Sequence, residues 1–348
     1  MNNTEHIINE LSLLYSKADT ILVEKQINAF LLLIALKRSG IDFIFKGGTS
    51  LILHFEELKR FSIDIDIQVG SHIDLIPSLE SVIANSLFDR FEEDIRKAGS
   101  KLTKRHFKFY FNSNRQNSFG ESYVLLDVVF GEYPFPIIEQ RYLPAPFNDL
   151  YSEIDPLPIN TPSTGGIIGD KLTAFAPRTV GIPFYRGGRS MSLEIVKQLF
   201  DLGYLFDLDF NADEMKKAFF QIAESVIHDR ELSIDVEEVI ADSIGLCFDI
   251  STRNQNSKEF VEVLAGIRRF VNFLPDRRFN IIDAIRSSAK VAYLLMLLKN
   301  GSLEIARFNN DTNIDGLSIQ VMDYSKLNKL KKIDPQAFFY WYKALDLK

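Results

Sequence analysis

The stretch FSIDIDIQV, Phe61–Val69, constrains this chain more than any other. Apolar and polar residues alternate through it with period two, the repeat of a β-strand. Ile63, Ile65 and Ile67 therefore share one face, and Asp64, Asp66 and Gln68 the other. The isoleucine row must be buried against something, so the opposite face carries two carboxylates about 6–7 Å apart at their roots. Such carboxylates repel, and one tends to take up a proton unless a cation lies between them. A divalent ion that prefers hard oxygen ligands, Mg²⁺ or Mn²⁺, suits the pair.

Just upstream, DFIFK reads as a short strand and is followed by Gly47, Gly48, Thr49 and Ser50. Thr49 or Ser50 can cap a helix running to about Lys59. Small residues at a helix start leave backbone N–H groups open to phosphate. Each element alone has a plainer reading: Gly-Gly-Thr as a turn, Asp-x-Asp as a solvated strand face. In this order, one helix apart, they point to a nucleoside triphosphate with its metal.

The rest of the chain supplies a scaffold of mixed type. Ile21–Leu36 has helical period and Gly40 is a helix stop. A helix is expected over about Ile73–Lys97, then strands in RHFKFYF and SYVLLDVVF, then a proline-rich connection from Tyr133 to Pro162. TGGIIGDKLTAFAPR is assigned to a helix, GIPFYRGGR to a flexible loop, and nearly everything from Ser190 onward has helical period. The fold class expected is α+β: a mixed sheet with flanking helices over residues 1–205, then a mainly helical domain over 206–348.

The net charge of −7 argues against a general polyanion binder, so a nucleic-acid partner would need local basic patches. RKAGSKLTKRHFKFYF, with Lys97, Lys101, Lys104, Arg105 and Lys108, is one candidate, and IRRFVNFLPDRRFN is another; solvated surface is the alternative for both. Cys247 is the only cysteine, which rules out an intramolecular disulfide and a cysteine metal site. His6, His54, His72, His106 and His228 show no ligand spacing. The N-terminus lacks a basic segment before an apolar core, and AFLLLIALKRSG is too short to cross a bilayer. A soluble cytoplasmic protein without a membrane partner is expected.

The run GGTS…RFSIDIDI resembles the opening signature of the nucleotidyltransferase superfamily, in its AbiEii/AbiGii toxin branch. Arg60, Ser62, Asp64 and Asp66 match that branch's Arg-x-Ser-x-Asp-x-Asp position by position. GGIIGDKLTAFAPR supplies the later lysine as Lys171, and EIVKQLFDLGYL the later aspartate as Asp201. Gln198 stands where the family often has an acidic residue. The resemblance spans about Ile41–Leu205 and implies a nucleotidyltransferase-type sheet.

It also implies roles. Asp64 and Asp66 hold Mg²⁺, with Asp127 as a third carboxylate; the alternative for Asp127 is an aspartate at a strand end, satisfied by backbone. Gly47, Gly48, Thr49 and Ser50, with Arg60 and Ser62, hold the NTP phosphates. Lys171, otherwise a lysine on a solvated helix face, neutralises triphosphate charge, and Asp201 positions that lysine, the base or the sugar. The implied acceptor is RNA, tRNA being favoured. The implied setting is the toxin of a toxin–antitoxin or phage-abortive system, with its antitoxin encoded nearby. The alternative is a nucleotide-binding module without turnover, against which Asp64, Asp66, Lys171 and Asp201 argue. A sugar transferase using Asp-x-Asp is weaker, because Gly-Gly-Thr precedes it by one helix.

Overall fold

Alternation decides the sheet. In the computed structural model, which describes residues 3–15, 18–55, 57–95, 104–113, 120–150, 157–275, 279–302 and 304–347, helices α1 (Asn3–Leu14) and α2 (Thr20–Arg38) precede strand β1 (Ile44–Lys46). Strand β2 (Ile65–Val69), helix α3 (Ile76–Ala84) and strands β3 (Phe88–Glu93), β4 (Lys104–Phe111) and β5 (Tyr123–Phe130) follow. The five strands form one sheet in the order β1-β2-β5-β4-β3, with β2 and β5 parallel and every other pairing antiparallel. The expected mixed sheet is thus present.

One face of that sheet is a core. Ile65, Ile67 and Val69 of β2, Phe107 and Phe109 of β4, and Leu126 and Val128 of β5 cluster with Val23, Ile27, Phe30 and Leu33 of α2. The α2 helix starts where Asp19 accepts from Ile21 N at 2.9 Å, a side-chain cap on an otherwise orphan donor. It ends beside Gly40, whose φ of +81° a side chain would oppose. Polar residues alternate onto the other face, and the register puts Lys46, Asp66, Asp127 and His106 in one row across four strands.

Several local expectations are corrected. The helix expected over Thr49–Lys59 is a single 3-10 turn, Thr49–Leu53. All five of its residues are buried, and such a segment has no solvated face on which to run an amphipathic helix. The helix expected to reach Lys97 stops at Ala84, where Asn85 caps it, and FDRFEE becomes edge strand β3 against β4. Lys97 itself lies outside the described residues. The connection from Tyr133 to Pro162 contains a two-stranded ribbon, β6 (Ile138–Arg141) with β7 (Ile159–Pro162). Residues 151–156 lie outside the described set.

The second half is built on helices: α4 (Thr164–Ala174), α5 (Ser192–Leu205), α6 (Ala212–Asp229), α7 (Val236–Thr252), α8 (Lys258–Phe270), α9 (Ile281–Asn300), α10 (Leu330–Ile333) and α11 (Pro335–Asp346). Between α4 and α5 the expected flexible loop is an ordered hairpin, β8 (Tyr185–Arg186) and β9 (Arg189–Ser190), around Gly187 and Gly188 with φ of +55° and +79°. Two consecutive positive φ values are those of a tight primed turn, which glycine adopts without strain. Residues 1–163 with 272–277 form one compact unit, and 164–271 with 278–348 a second. Within the second unit, α5 packs with α4, α8 and α9. Among the described residues no helix is long and apolar enough to cross a membrane.

Helices α4 and α6 approach closely because Gly165 and Gly169 face the partner. A Cβ at Gly169 would lie 2.7 Å from both Met215 O and Phe219 N. Backbone cannot yield as a flexible side chain can. Gly169→Val should therefore lower the unfolding free energy by about 2–3 kcal/mol, read from denaturant midpoints at unchanged m-value.

Candidate active site

The Gly-Gly turn is tied to the strand by its own side chains. Thr49 Oγ1 donates to the Asp64 carbonyl and lies 3.0 Å from Ser62 Oγ. Ser50 Oγ donates to Gly47 O at 2.9 Å, closing the turn on itself. Ser62 N in turn donates to Gln26 Oε1 at 2.8 Å, so a buried α2 glutamine holds the segment from behind. Both glycines are required by proximity. A Cβ on Gly47 would come within 2.7 Å of Asp66 Cγ, and one on Gly48 within 2.6 Å of Arg60 Nη2 and 2.9 Å of Ser62 Oγ. Gly47 also has φ of +77°.

Gly47, Gly48, Thr49, Ser50, Arg60, Ser62, Asp64 and Asp66 are thus one neighbourhood. Arg60 is buried, its Nη1 donating to Phe61 O at 3.2 Å, so a fixed guanidinium lies against the turn. A turn of five residues has little macrodipole, so the positive character of this turn comes from Arg60 and the backbone N–H groups more than from a helix N-terminus.

The carboxylates follow from the sheet. Asp64 is exposed, one residue before β2, and Asp66 is half-buried within it. Asp127 is the direct neighbour of Asp66 across the parallel pairing, at mid-strand in β5. Its Oδ1 lies 2.7 Å from His106 Nδ1, so its partner is a side chain and not the backbone of a strand end. Sequence spacing passed over His106. The signal was the buried alternation of Phe107, Phe109 and Phe111, which turns His106 to the same face as Asp127.

Among the described residues no three histidine, cysteine or acidic side chains converge as a ready metal cage. Hard oxygen donors at Asp64, Asp66 and Asp127 nevertheless fit Mg²⁺, which characteristically takes one or two carboxylates and completes its shell with water and substrate phosphates.

In the second unit, Lys171 lies in the last turn of α4 and is only 3% exposed, not on a solvated face. Its Nζ donates to Asp201 Oδ2 at 2.7 Å and to Gln198 Oε1 at 3.1 Å. Residues 198 and 201 fall one turn apart on α5, so both reach the same ammonium. Gln198 therefore keeps a place in this cluster as a neutral acceptor.

Two measurements follow. His54 comes directly after the 3-10 turn; burial first, then the nearby Arg141 charge, lower its pKa from 6.5 to about 3. The unfolded chain binds this proton at higher pH than the folded one does. Its contribution is complete above about pH 6.5 and is lost as pH falls toward the folded value. Stability should drop by about 1–2 kcal/mol between pH 6.5 and pH 5 on its account, a loss that His54→Gln flattens in chemical denaturation. Removing Lys171 alone strands the Asp201 charge. Lys171→Met should destabilise by about 3–5 kcal/mol, while Lys171→Met with Asp201→Leu should recover most of that in thermal unfolding.

No curated protein matches the chain. A family model described as the nucleotidyl transferase AbiEii toxin of a type IV toxin–antitoxin system matches residues 30–276, which takes in the Gly-Gly turn, Asp64, Asp66, Asp127, Lys171 and Asp201. With most of its 348 residues matched, the chain belongs to the AbiEii nucleotidyl transferase toxin family, and it is a nucleotidyltransferase that uses an NTP.

Proposed function

We propose that this enzyme transfers a nucleoside monophosphate from an NTP to a hydroxyl of RNA, with tRNA the favoured acceptor, in a Mg²⁺-dependent reaction. The observation that supports it most is the close fit of Gly47 against Asp66, which brings a bare turn and a metal-competent carboxylate together. The acceptor hydroxyl attacks the α-phosphorus, its proton passes to solvent, and pyrophosphate leaves with the electron pair of the broken P–O bond. Gly47, Gly48, Thr49 and Ser50 seat the phosphates, with Arg60 and Ser62 behind them. Mg²⁺ or Mn²⁺, held by Asp64 and Asp66 with Asp127 beside them, supplies charge neutralisation at the triphosphate. Lys171 adds a fixed positive charge, and Asp201 and Gln198 hold it in place. The residues given roles lie between Gly47 and Asp201, so the catalytic region is bounded by residues 1–205. The cellular reading is a cytoplasmic phage-defence toxin of an AbiE-like system, restrained by a cognate antitoxin encoded nearby.

Incubation with labelled NTPs, Mg²⁺ and total RNA tests the reaction. Label should enter the tRNA fraction, and Asp64→Asn or Asp66→Asn should cut incorporation by about 10²-fold or more without lowering the melting temperature. Expression in a bacterial host should slow growth, and the double change should relieve it. Near-wild-type transfer in either single variant removes the metal assignment. Growth inhibition that persists in the double variant separates toxicity from transfer.

A further inference from the structure

Several arginines of this protein are already matched by carboxylates. Arg90 pairs with Glu92 and Glu121, Arg105 with Glu93, Arg141 with Glu139 and Arg178 with Glu259. The basic stretch of β4 is therefore locally neutralised, with Lys108 also 3.9 Å from Asp94; Lys97 and Lys101 lie outside the described residues. The β8–β9 hairpin differs. Arg186 and Arg189 are direct cross-strand partners, both exposed, and among the described residues neither guanidinium takes part in an ion pair or hydrogen bond. Like charges placed opposite one another destabilise a ribbon.

The hairpin is nevertheless held firmly. Met191 N donates to Phe184 O at 2.8 Å across its base. Glu262, the carboxylate at that base, is taken up by the Tyr185 and Ser190 hydroxyls. Arg269 Nη2 donates to Ser190 Oγ at 3.1 Å. The positive field extends further: desolvation and then the Arg186 charge pull the Arg230 pKa below the ordinary arginine range. Beside the hairpin, an open cleft of about 470 Å³ has Tyr185, Gln255, Asn256 and Lys258 in its wall. Tyr185 itself is 55% exposed. A rigid ribbon thus projects two unneutralised planar forks from a chain of net charge −7.

We infer that this hairpin grips the phosphodiester backbone of the RNA acceptor, Arg186 and Arg189 each contacting a phosphate. The inference rests on the RNA reading above and adds where the acceptor is held. Arginine suits the task because its fork meets phosphate oxygens two at a time. The hairpin also leads straight into α5, on which Asp201 lies about 14 Å along the axis from Ser192 at 1.5 Å per residue.

The test uses the full chain and deacylated tRNA carrying a 5′ fluorophore, with binding read by anisotropy over a salt series. Arg186→Ala with Arg189→Ala should weaken binding roughly ten- to thirtyfold at 0.1 M salt and reduce the salt slope by about 1.4–1.8. Arg186→Lys with Arg189→Lys should keep most of the slope. The melting temperature of the alanine variant should be equal or higher, since a repulsion is removed. Wild-type binding with no change of affinity or slope in the alanine variant overturns the hairpin assignment and leaves the RNA reading standing. Absence of tRNA binding by the wild type overturns both. A lowered melting temperature reassigns the arginines to structure. Loss of neutralisation by the antitoxin with tRNA binding intact reassigns them to the protein partner.

Discussion

The open face of the sheet depends on the position of β2 between an antiparallel and a parallel neighbour. That register sets Lys46, Asp66, Asp127 and His106 side by side, and slipping it by one residue would turn Asp66 into the core and Ile65 or Ile67 out of it. Burial of the isoleucine row against α2 is what forbids the slip. Each fully buried isoleucine contributes about 1.5–3 kcal/mol, so hydrophobic packing on one face fixes the polar chemistry on the other. The Gly-Gly turn is fitted to the same frame, since only a bare Cα at residue 47 leaves space for the Asp66 carboxylate.

The second unit solves a different problem. An ammonium and a carboxylate that are both nearly solvent-free attract strongly but lose their hydration, and such a pair adds little net stability. Its value lies in geometry. With Asp201 and Gln198 on successive turns of α5, the Lys171 ammonium has two fixed acceptors and little rotamer freedom. Close packing of α4 on α6 through Gly165 and Gly169 fixes the helix that carries it.

Much of this was readable from the sequence where one period dominated. The strict alternation of β2 announced its two faces, and the match at Arg60, Ser62, Asp64 and Asp66 singled out residues that the turn and strand hold as neighbours. Reading failed where local pattern and tertiary demand diverged. LFDRFEED has enough apolar residues to continue a helix, but pairing with β4 outweighs propensity there. TSLIL reads as a helix start, yet complete burial and hydroxyl bonds to Gly47 and Asp64 tighten it into one 3-10 turn. His106 and Gln26 carry no motif at all. Their partners, Asp127 and the Ser62 backbone, are 21 and 36 residues away, and only the folded chain brings them near.

The path of the chain has a consequence of its own. After α8 the described residues 272–275 belong to the first unit, and the helix α9 that follows belongs to the second. In that stretch Phe273 O accepts from Phe61 N at 2.8 Å, in the segment between Arg60 and Ser62. The first unit is thus completed by a strip of sequence made long after its own strands. A ribosome that has released only the first two hundred residues has produced the glycine turn, Asp64, Asp66 and Asp127, but not the carbonyl that accepts from the segment leading into them. Phe61 is almost fully buried, so its amide would wait without that acceptor at a cost of about 1–3 kcal/mol. For a member of a toxin family, the nascent chain gains this hydrogen bond only after more than three quarters of its residues have been joined.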